Sequence, residues 1–327
     1  MVRRAHPSNA GGMREHPAFG ALGPLRSLIE LPGVTDVLVN GPDQIWIDRG
    51  AGLEPVPLRL GDHQRLRTLA MAVISAGGRH LDDATPFVDV RLGDLRVHAV
   101  LPPIAVAAVQ LSIRVPQPGL TQLTQLVAAG MLQPQQHEML AQMVHRGDNV
   151  LVSGPTGAGK TTLLRAMLAE VPHDQRILCV EDVAELAVAH PHVVQLEARQ
   201  PNADGRGGIG LDLLLRQALR MRPDRIVVGE CRGAELTQLM SALNTGHRGG
   251  AGTIHANSVH DVPARLEALG LLGGLSPEAL ARQAASAFNV LLHVGRTSGR
   301  RRLEQLGRLR LDERGRLQTE LLAGTAT

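Results

Sequence analysis

Between Gly154 and Thr161 the chain reads GPTGAGKT: a glycine, four residues, then Gly-Lys-Thr. Lys160 is the only lysine present; the other 33 of the 34 Lys plus Arg residues are arginine. Residues of these types at this spacing grip a polyphosphate. Gly157 and Gly159 let the backbone curl so that several N–H groups converge, and the helix that follows adds partial positive charge. Lys160 is a compact ammonium on a flexible stem that reaches the β and γ phosphates, where the broad fork of an arginine fits poorly. Thr161 offers a hydroxyl to Mg²⁺. The flanking context agrees: NVLVS reads as a strand, and TTLLRAMLAEV as a helix that ends before Pro172. Gly154, Pro155, Thr156, Gly157, Ala158, Gly159, Lys160, Thr161 and Thr162 are therefore candidate nucleotide contacts.

Hydrolysis also needs a group that orients water. RIVVGE ends in Glu230, and a carboxylate at the C-terminal end of a parallel strand beside the loop's own strand can polarise an attacking water. Where an Asp is usual before such a Glu, this chain has Gly229, so other acids must serve the metal. CVEDVAEL offers Glu181, Asp182 and Glu185 just past another core strand; capping of a helix start is the alternative role for these acids. NTGHRGGAGTIHANS sets His247 and His255 on either side of a glycine-rich turn, with no third ligand at metal-binding spacing. His190 and His192 read as ordinary hydrogen-bonded side chains, and Cys231 as a small apolar residue. Gly205, Gly207 and Gly210 imitate a dinucleotide fingerprint. However, QPNAD separates them from the strand before, whereas that turn is tight, so a mobile loop is the better reading.

These groups need a scaffold. After Gly119 the apolar runs NVLVS, RILCV, HVVQLE and DRIVVG alternate with helical segments, the pattern of a parallel sheet covered on both faces. Before it, short strands alternate apolar and polar. DHQRLRTLAMAVISAGG reads as a helix capped by Asp62, and FVDVRLGDLRVHAVL as a hairpin about Gly93-Asp94. A last hairpin turns at DERG. The expected class is α/β: a flexible tail (1–20), an N-terminal α+β domain (21–117), and a P-loop domain with a mainly parallel sheet (118–327). No apolar run nears the roughly 20 residues of a membrane span. The N-terminal residues lack the apolar stretch of a secretory signal. Two cysteines make neither a disulfide framework nor a four-cysteine zinc site, so a cytoplasmic location is the default. The chain has no Tyr, one Trp and three Phe at a net charge of +3. It thus offers few platforms for stacking bases, which argues against nucleic acid as a partner.

GPTGAGKTT, VEDVAEL, ALRMRPDRIVVGECRG and NTGHRGGAGTIHANS, in that order and spacing, resemble the ATPases of the type II/type IV secretion superfamily. Within it they most resemble the tight-adherence (Flp-type) pilus branch. The resemblance runs from about residue 30 to 295 and takes in PGVTDVLVNGP and LSIR. It implies ATP and Mg²⁺ as ligands, a RecA-like second domain, and a hexameric ring in the bacterial cytoplasm docked on an inner-membrane platform protein. It further implies that Glu230 is catalytic, that Glu181 serves metal and water together with Thr161, and that Glu185 is second to Glu181. His255 would sense the γ-phosphate, with His247 its weaker companion. Arg96 in LRVHAV and Arg114 in LSIR would reach the nucleotide, with Arg91 next in line. Gly229 is normal for the family. The four-cysteine zinc insert of the type II branch is missing here. A guanine-specific motif would need a lysine that the chain does not have. Two other classes remain: a DNA translocase of a conjugation-type system, and a nucleotide-binding scaffold with little hydrolysis.

Overall fold

The computed structural model describes residues 16–50, 52–116, 120–199, 201, 206–297 and 299–322. The chain divides into two compact units, one ending at Gly119 and the other beginning at Leu120.

In the first unit the strands are β1 (Asp36–Gly41), β2 (Gln44–Asp48), β3 (Leu53–Val56), β4 (Phe87–Leu92), β5 (Leu95–Val100) and β6 (Gln110–Arg114). They form one sheet in the order β3-β2-β1-β6-β5-β4, antiparallel at every neighbour. The alternation in the sequence decides which face is covered: Leu95, Val97 and Ala99 are buried while Arg96 and His98 between them are not. Following the short helix α1 (Arg26–Ile29) and the first three strands comes α2 (His63–Ala76). The Asp62 carboxylate caps α2 by accepting from the Arg65 N–H at 2.8 Å. Its buried stripe is Leu66, Ala70, Val73 and Ile74.

Residues 1–15 of the expected tail lie outside the described residues, and its last part is not a tail. Pro17–Leu25 forms a 3₁₀ segment whose Phe19, Leu22 and Leu25 are buried in the core of the first unit. Burying such side chains yields roughly 1.5–3 kcal/mol each, which anchors the stretch to that core.

The second unit holds β7 (Val150–Gly154), β8 (Ile177–Glu181), β9 (Val193–Glu197), β10 (Arg225–Val228), β11 (Ala251–His255), β12 (Val290–Thr297), β13 (Arg300–Leu311) and β14 (Leu317–Leu321). Their order is β14-β13-β12-β7-β11-β10-β8-β9. Pairing is parallel from β12 through β9 and antiparallel in the β12-β13-β14 edge. The central strands β7, β8, β10 and β11 are buried almost along their whole length and mostly apolar because both their faces are covered. Val150, Val152, Ile177, Cys179 and Val227 join a core with α3 (Leu123–Ala128), α4 (Pro134–Arg146) and α5 (Lys160–Leu168). Leu151, Leu178, Val180, Ile226 and Val228 join the opposite core with α6 (Leu211–Ala218), α7 (Glu235–Asn244), α8 (Val262–Leu272) and α9 (Pro277–Ala287). Gly205 of the imitation fingerprint lies outside the described residues. Beyond it the chain folds back on Arg199, whose N–H donates to Ile209 O at 3.0 Å. Among the described residues no helix is long and apolar enough to cross a membrane.

One expectation is overturned by the strand order. The strand leading to Glu230 does not lie beside the loop's own strand: β11 stands between β7 and β10. Strand order in a parallel sheet is set by crossover connections rather than by any local signal. Consequently the C-terminal ends of four adjacent strands present Gly154, His255, the loop to Glu230, and Glu181 along one edge. This is the edge at which open α/β sheets hold ligands.

Candidate active site

The loop after β7 runs directly into α5. Gly159, at the helix start, has φ +102°, a conformation that side chains rarely adopt. A cavity of about 670 Å³ opens beside the loop, lined by Pro155, Thr156, His255, Ala256, Asn257, Asp261 and Arg265. Its volume is that of a small-ligand site.

Lys160 is buried, with 7% of its surface exposed. Its ammonium donates to Gly154 O at 2.9 Å and to Pro155 O at 3.0 Å, and lies 3.1 Å from His255 Nδ1. Burial draws its pKa down to about 8, opposed by the Glu230 charge. An ammonium has only donors, so Nδ1 of His255 is the acceptor and the ring proton sits on Nε2. That nitrogen lies 2.9 Å from Glu230 Oε1 and donates to it. His255 is thus neutral and bridges the lysine and the glutamate. Burial and the adjacent Lys160 charge hold its pKa below the usual histidine value, against the pull of Glu230. The intervening strand β11 is what makes this bridge possible.

Burial pushes Glu230 upward, but the hydrogen bonds from Arg232 and the charges of Arg232 and Lys160 leave the carboxyl more acidic than usual. Arg232 donates from Nε to Oε1 at 2.7 Å and from Nη2 to Oε2 at 2.8 Å. Reading the sequence gave no role to Arg232, nor to Glu235, nor to His293. The Glu235 carboxylate accepts from the N–H groups of Arg232 and Gly233 and so fixes the loop after β10. Its signal was an acid in the first turn of a helix. His293 is buried within β12, paired with Ser153 of β7, and its Nδ1 lies 2.9 Å from Ser153 Oγ.

Glu181 is 3% exposed. Its Oε1 accepts from the N–H groups of Glu185 at 3.0 Å and Leu186 at 2.9 Å. Its Oε2 is buried without a hydrogen-bond partner. Burial raises its pKa to about 7 in spite of those two amides. Gly229 explains how the carboxyl fits. A Cβ there would lie 2.7 Å from Glu181 Cγ, so the usual acid at 229 is excluded by the acid from the neighbouring strand. Glu185 lends Glu181 its amide while its own side chain is exposed. Asp182 stands 3.7 Å from Arg232 Nη1. Arg165 of α5 ties this segment to the phosphate loop by donating to Glu185 O at 2.6 Å.

Among the described residues no three His, Cys, Asp or Glu side chains form a metal cage. Magnesium does not need one, since it usually takes one or two protein oxygens together with substrate phosphates and water. The unpartnered Oε2 of Glu181 and the Thr161 hydroxyl are hard oxygen donors of the kind it takes.

His247 is not brought to the site. It precedes the first residue of β11, at the sheet edge opposite His255, and its ring Nδ1 lies 3.2 Å from Ala242 O. Arg91, Arg96 and Arg114 belong to the first unit, where register makes them cross-strand neighbours: Arg91 opposite Arg96, and Arg96 opposite Arg114. Like charges so placed repel unless an anion or acid offsets them. Asp89, 3.5 Å from Arg96, and Asp36, opposite Arg114, do so in part.

Residues 20–294 match the family model described as type II/IV secretion system protein. The chain belongs to this family. A Mycobacterium tuberculosis (strain H37Rv) protein named putative conjugal transfer protein Rv3659c is 52% identical over 295 residues, covering 88% of this chain and 84% of its own length. The type IV secretion system protein VirB11 of Brucella suis is 30% identical over 281 residues, 77% of each chain. The X-ray structure of the Legionella pneumophila ATPase DotB shares the fold, with a TM-score of 0.60 at 21% identity, covering 88% of this chain and 80% of that one. The type II/IV secretion fold, an N-terminal domain followed by a RecA-like P-loop domain with a mostly parallel sheet, is thus the fold of this chain.

Proposed function

We propose that the chain is an ATP-hydrolysing motor of a bacterial secretion or pilus-assembly machine. The observation that carries this reading is the continuous contact Lys160–His255–Glu230 beside a nucleotide-sized cavity. Backbone N–H groups of residues 156–162 and the Lys160 ammonium hold the triphosphate, and Arg96 and Arg114 of the N-terminal domain (21–117) are the arginines assigned to it. Glu230 accepts a hydrogen bond from water and aligns it on the γ-phosphorus. The bond to the β–γ bridging oxygen breaks, giving ADP and phosphate. Thr161 and Glu181 would hold Mg²⁺, whose charge would offset that of the phosphates. Hydrolysis moves the N-terminal domain against the RecA-like domain (118–327), and a hexameric cytoplasmic ring passes that motion to an inner-membrane platform protein.

The test is steady-state phosphate release with ATP binding measured alongside. Glu230→Gln should lower kcat by roughly 10²–10⁴-fold while ATP still binds, and Lys160→Met should abolish binding. Parental turnover in Glu230→Gln refutes the assignment. A second reading draws on the relative named for conjugal transfer: a DNA translocase of a conjugation-type system rather than a tight-adherence pilus motor. Stimulation of phosphate release by DNA favours the translocase; indifference to DNA favours the pilus or secretion motor.

A further inference from the structure

Glu230 offers two carboxylate oxygens, with about four acceptor positions between them. Three are taken: Oε1 receives Arg232 Nε at 2.7 Å and His255 Nε2 at 2.9 Å, and Oε2 receives Arg232 Nη2 at 2.8 Å. The side-on fork fixes the plane of the carboxylate, which a single hydrogen bond cannot do. The fork is itself held from three directions. Its backbone N–H is gripped by the buried Glu235 carboxylate, Cys231 N donates to Thr253 O at 2.8 Å, and Asp182 faces Nη1. The Arg232 side chain is half-exposed, and ion pairs at that exposure contribute little to stability. Nothing about folding therefore calls for so determined a geometry two residues from a carboxylate.

We propose that Arg232 is a positioning residue for Glu230: with His255 it fills Oε1 and one side of Oε2, leaving a single acceptor position, on Oε2, to take the hydrogen of the attacking water. This rests on the reading of Glu230 as the residue that orients water. Arg232 acts through the carboxylate and does not touch the phosphates.

The experiment is a double-mutant cycle on the full chain: parent, Arg232→Gln, Glu230→Gln and the double variant, with Arg232→Lys alongside. kcat and KM for ATP, ATP binding and melting temperature are measured for each. Arg232→Gln should lower kcat about 10- to 100-fold with KM nearly unchanged. Arg232→Lys, which keeps one charged hydrogen bond but not the fork, should recover part of the loss. The double variant should be no slower than Glu230→Gln alone, because nothing is left to position. Parental kcat in Arg232→Gln, with Glu230→Gln impaired, overturns the proposal and leaves the reading of Glu230 standing. A double variant slower than Glu230→Gln by the full single-variant factor also overturns it, and assigns Arg232 to the phosphates. Parental kcat in Glu230→Gln sinks both. Should Arg232→Gln fail to fold, Arg232→Lys carries the test, with an unchanged kcat as the refuting result.

Discussion

Replacing Glu181 by Gln should change how the magnesium-free, nucleotide-free protein responds to pH. Burial raises the Glu181 carboxyl from 4.5 to about 7. An acid more basic in the folded than in the unfolded chain keeps a proton that the unfolded chain has released. Stability therefore falls as pH rises between those two values. At about 1.4 kcal/mol per tenfold change, the cost to folding is about 1 kcal/mol near pH 5 and about 3 kcal/mol near pH 8. A glutamine keeps the shape and the acceptor oxygen but has no proton to lose. The difference in unfolding free energy, variant minus parent, should therefore shift by about 2 kcal/mol in the variant's favour from about pH 5 to about pH 8. All other titrating groups are common to both proteins and cancel. Urea unfolding followed by circular dichroism is the assay. Fluorescence would not serve, since the only tryptophan is Trp46, in β2 of the other unit. Parallel pH dependences for variant and parent would refute the reasoning, because they would mean that the buried carboxyl titrates as it does in water.

Two further outcomes follow from the same contacts. Gly229→Ala would put a Cβ 2.7 Å from Glu181 Cγ and should cost about 1–3 kcal/mol; combining it with Glu181→Ala should relieve that cost, and strict additivity of the two unfolding free energies would count against the clash. In the ligand-free protein at neutral pH, nitrogen NMR of the His255 ring should show a neutral imidazole protonated at Nε2; an Nδ1-protonated ring would contradict the Lys160–His255–Glu230 arrangement.

What the sequence disclosed depended on how local the determinant is. The phosphate loop was legible because its chemistry is written in consecutive residues between a strand and a helix. Glu181 and Glu230 were legible because each ends or follows an apolar strand, and such ends collect at one edge of a parallel sheet. The bridge through His255 was not, since it depends on β11 lying between β7 and β10, which crossovers decide. Arg232 resembles any solvated arginine in a loop until Glu235 is seen gripping its amide. Phe19 was lost to a tail reading because Pro and Gly surround it, although one of only three Phe residues in a chain was worth placing in a core. The row Arg91–Arg96–Arg114 depends on strand register, which sequence alternation fixes for each strand but not between strands.

On the proposed function, the contacts of the site also connect binding with catalysis. All three donors of the Lys160 ammonium face protein acceptors: two loop carbonyls and His255 Nδ1. A triphosphate that recruits Lys160 must take over those donors, and the one shared with His255 is the link to Glu230. Losing it frees Nδ1 to accept from another donor, or to take a proton once an anion stands nearby, while Nε2 still donates to Glu230 Oε1. An imidazolium donor would hold the carboxylate more firmly than a neutral ring, since charge-assisted hydrogen bonds are roughly twice as strong as neutral ones. On the proposed reading, occupancy of the phosphate loop would reach the carboxylate across one strand through a change of partner on one ring nitrogen.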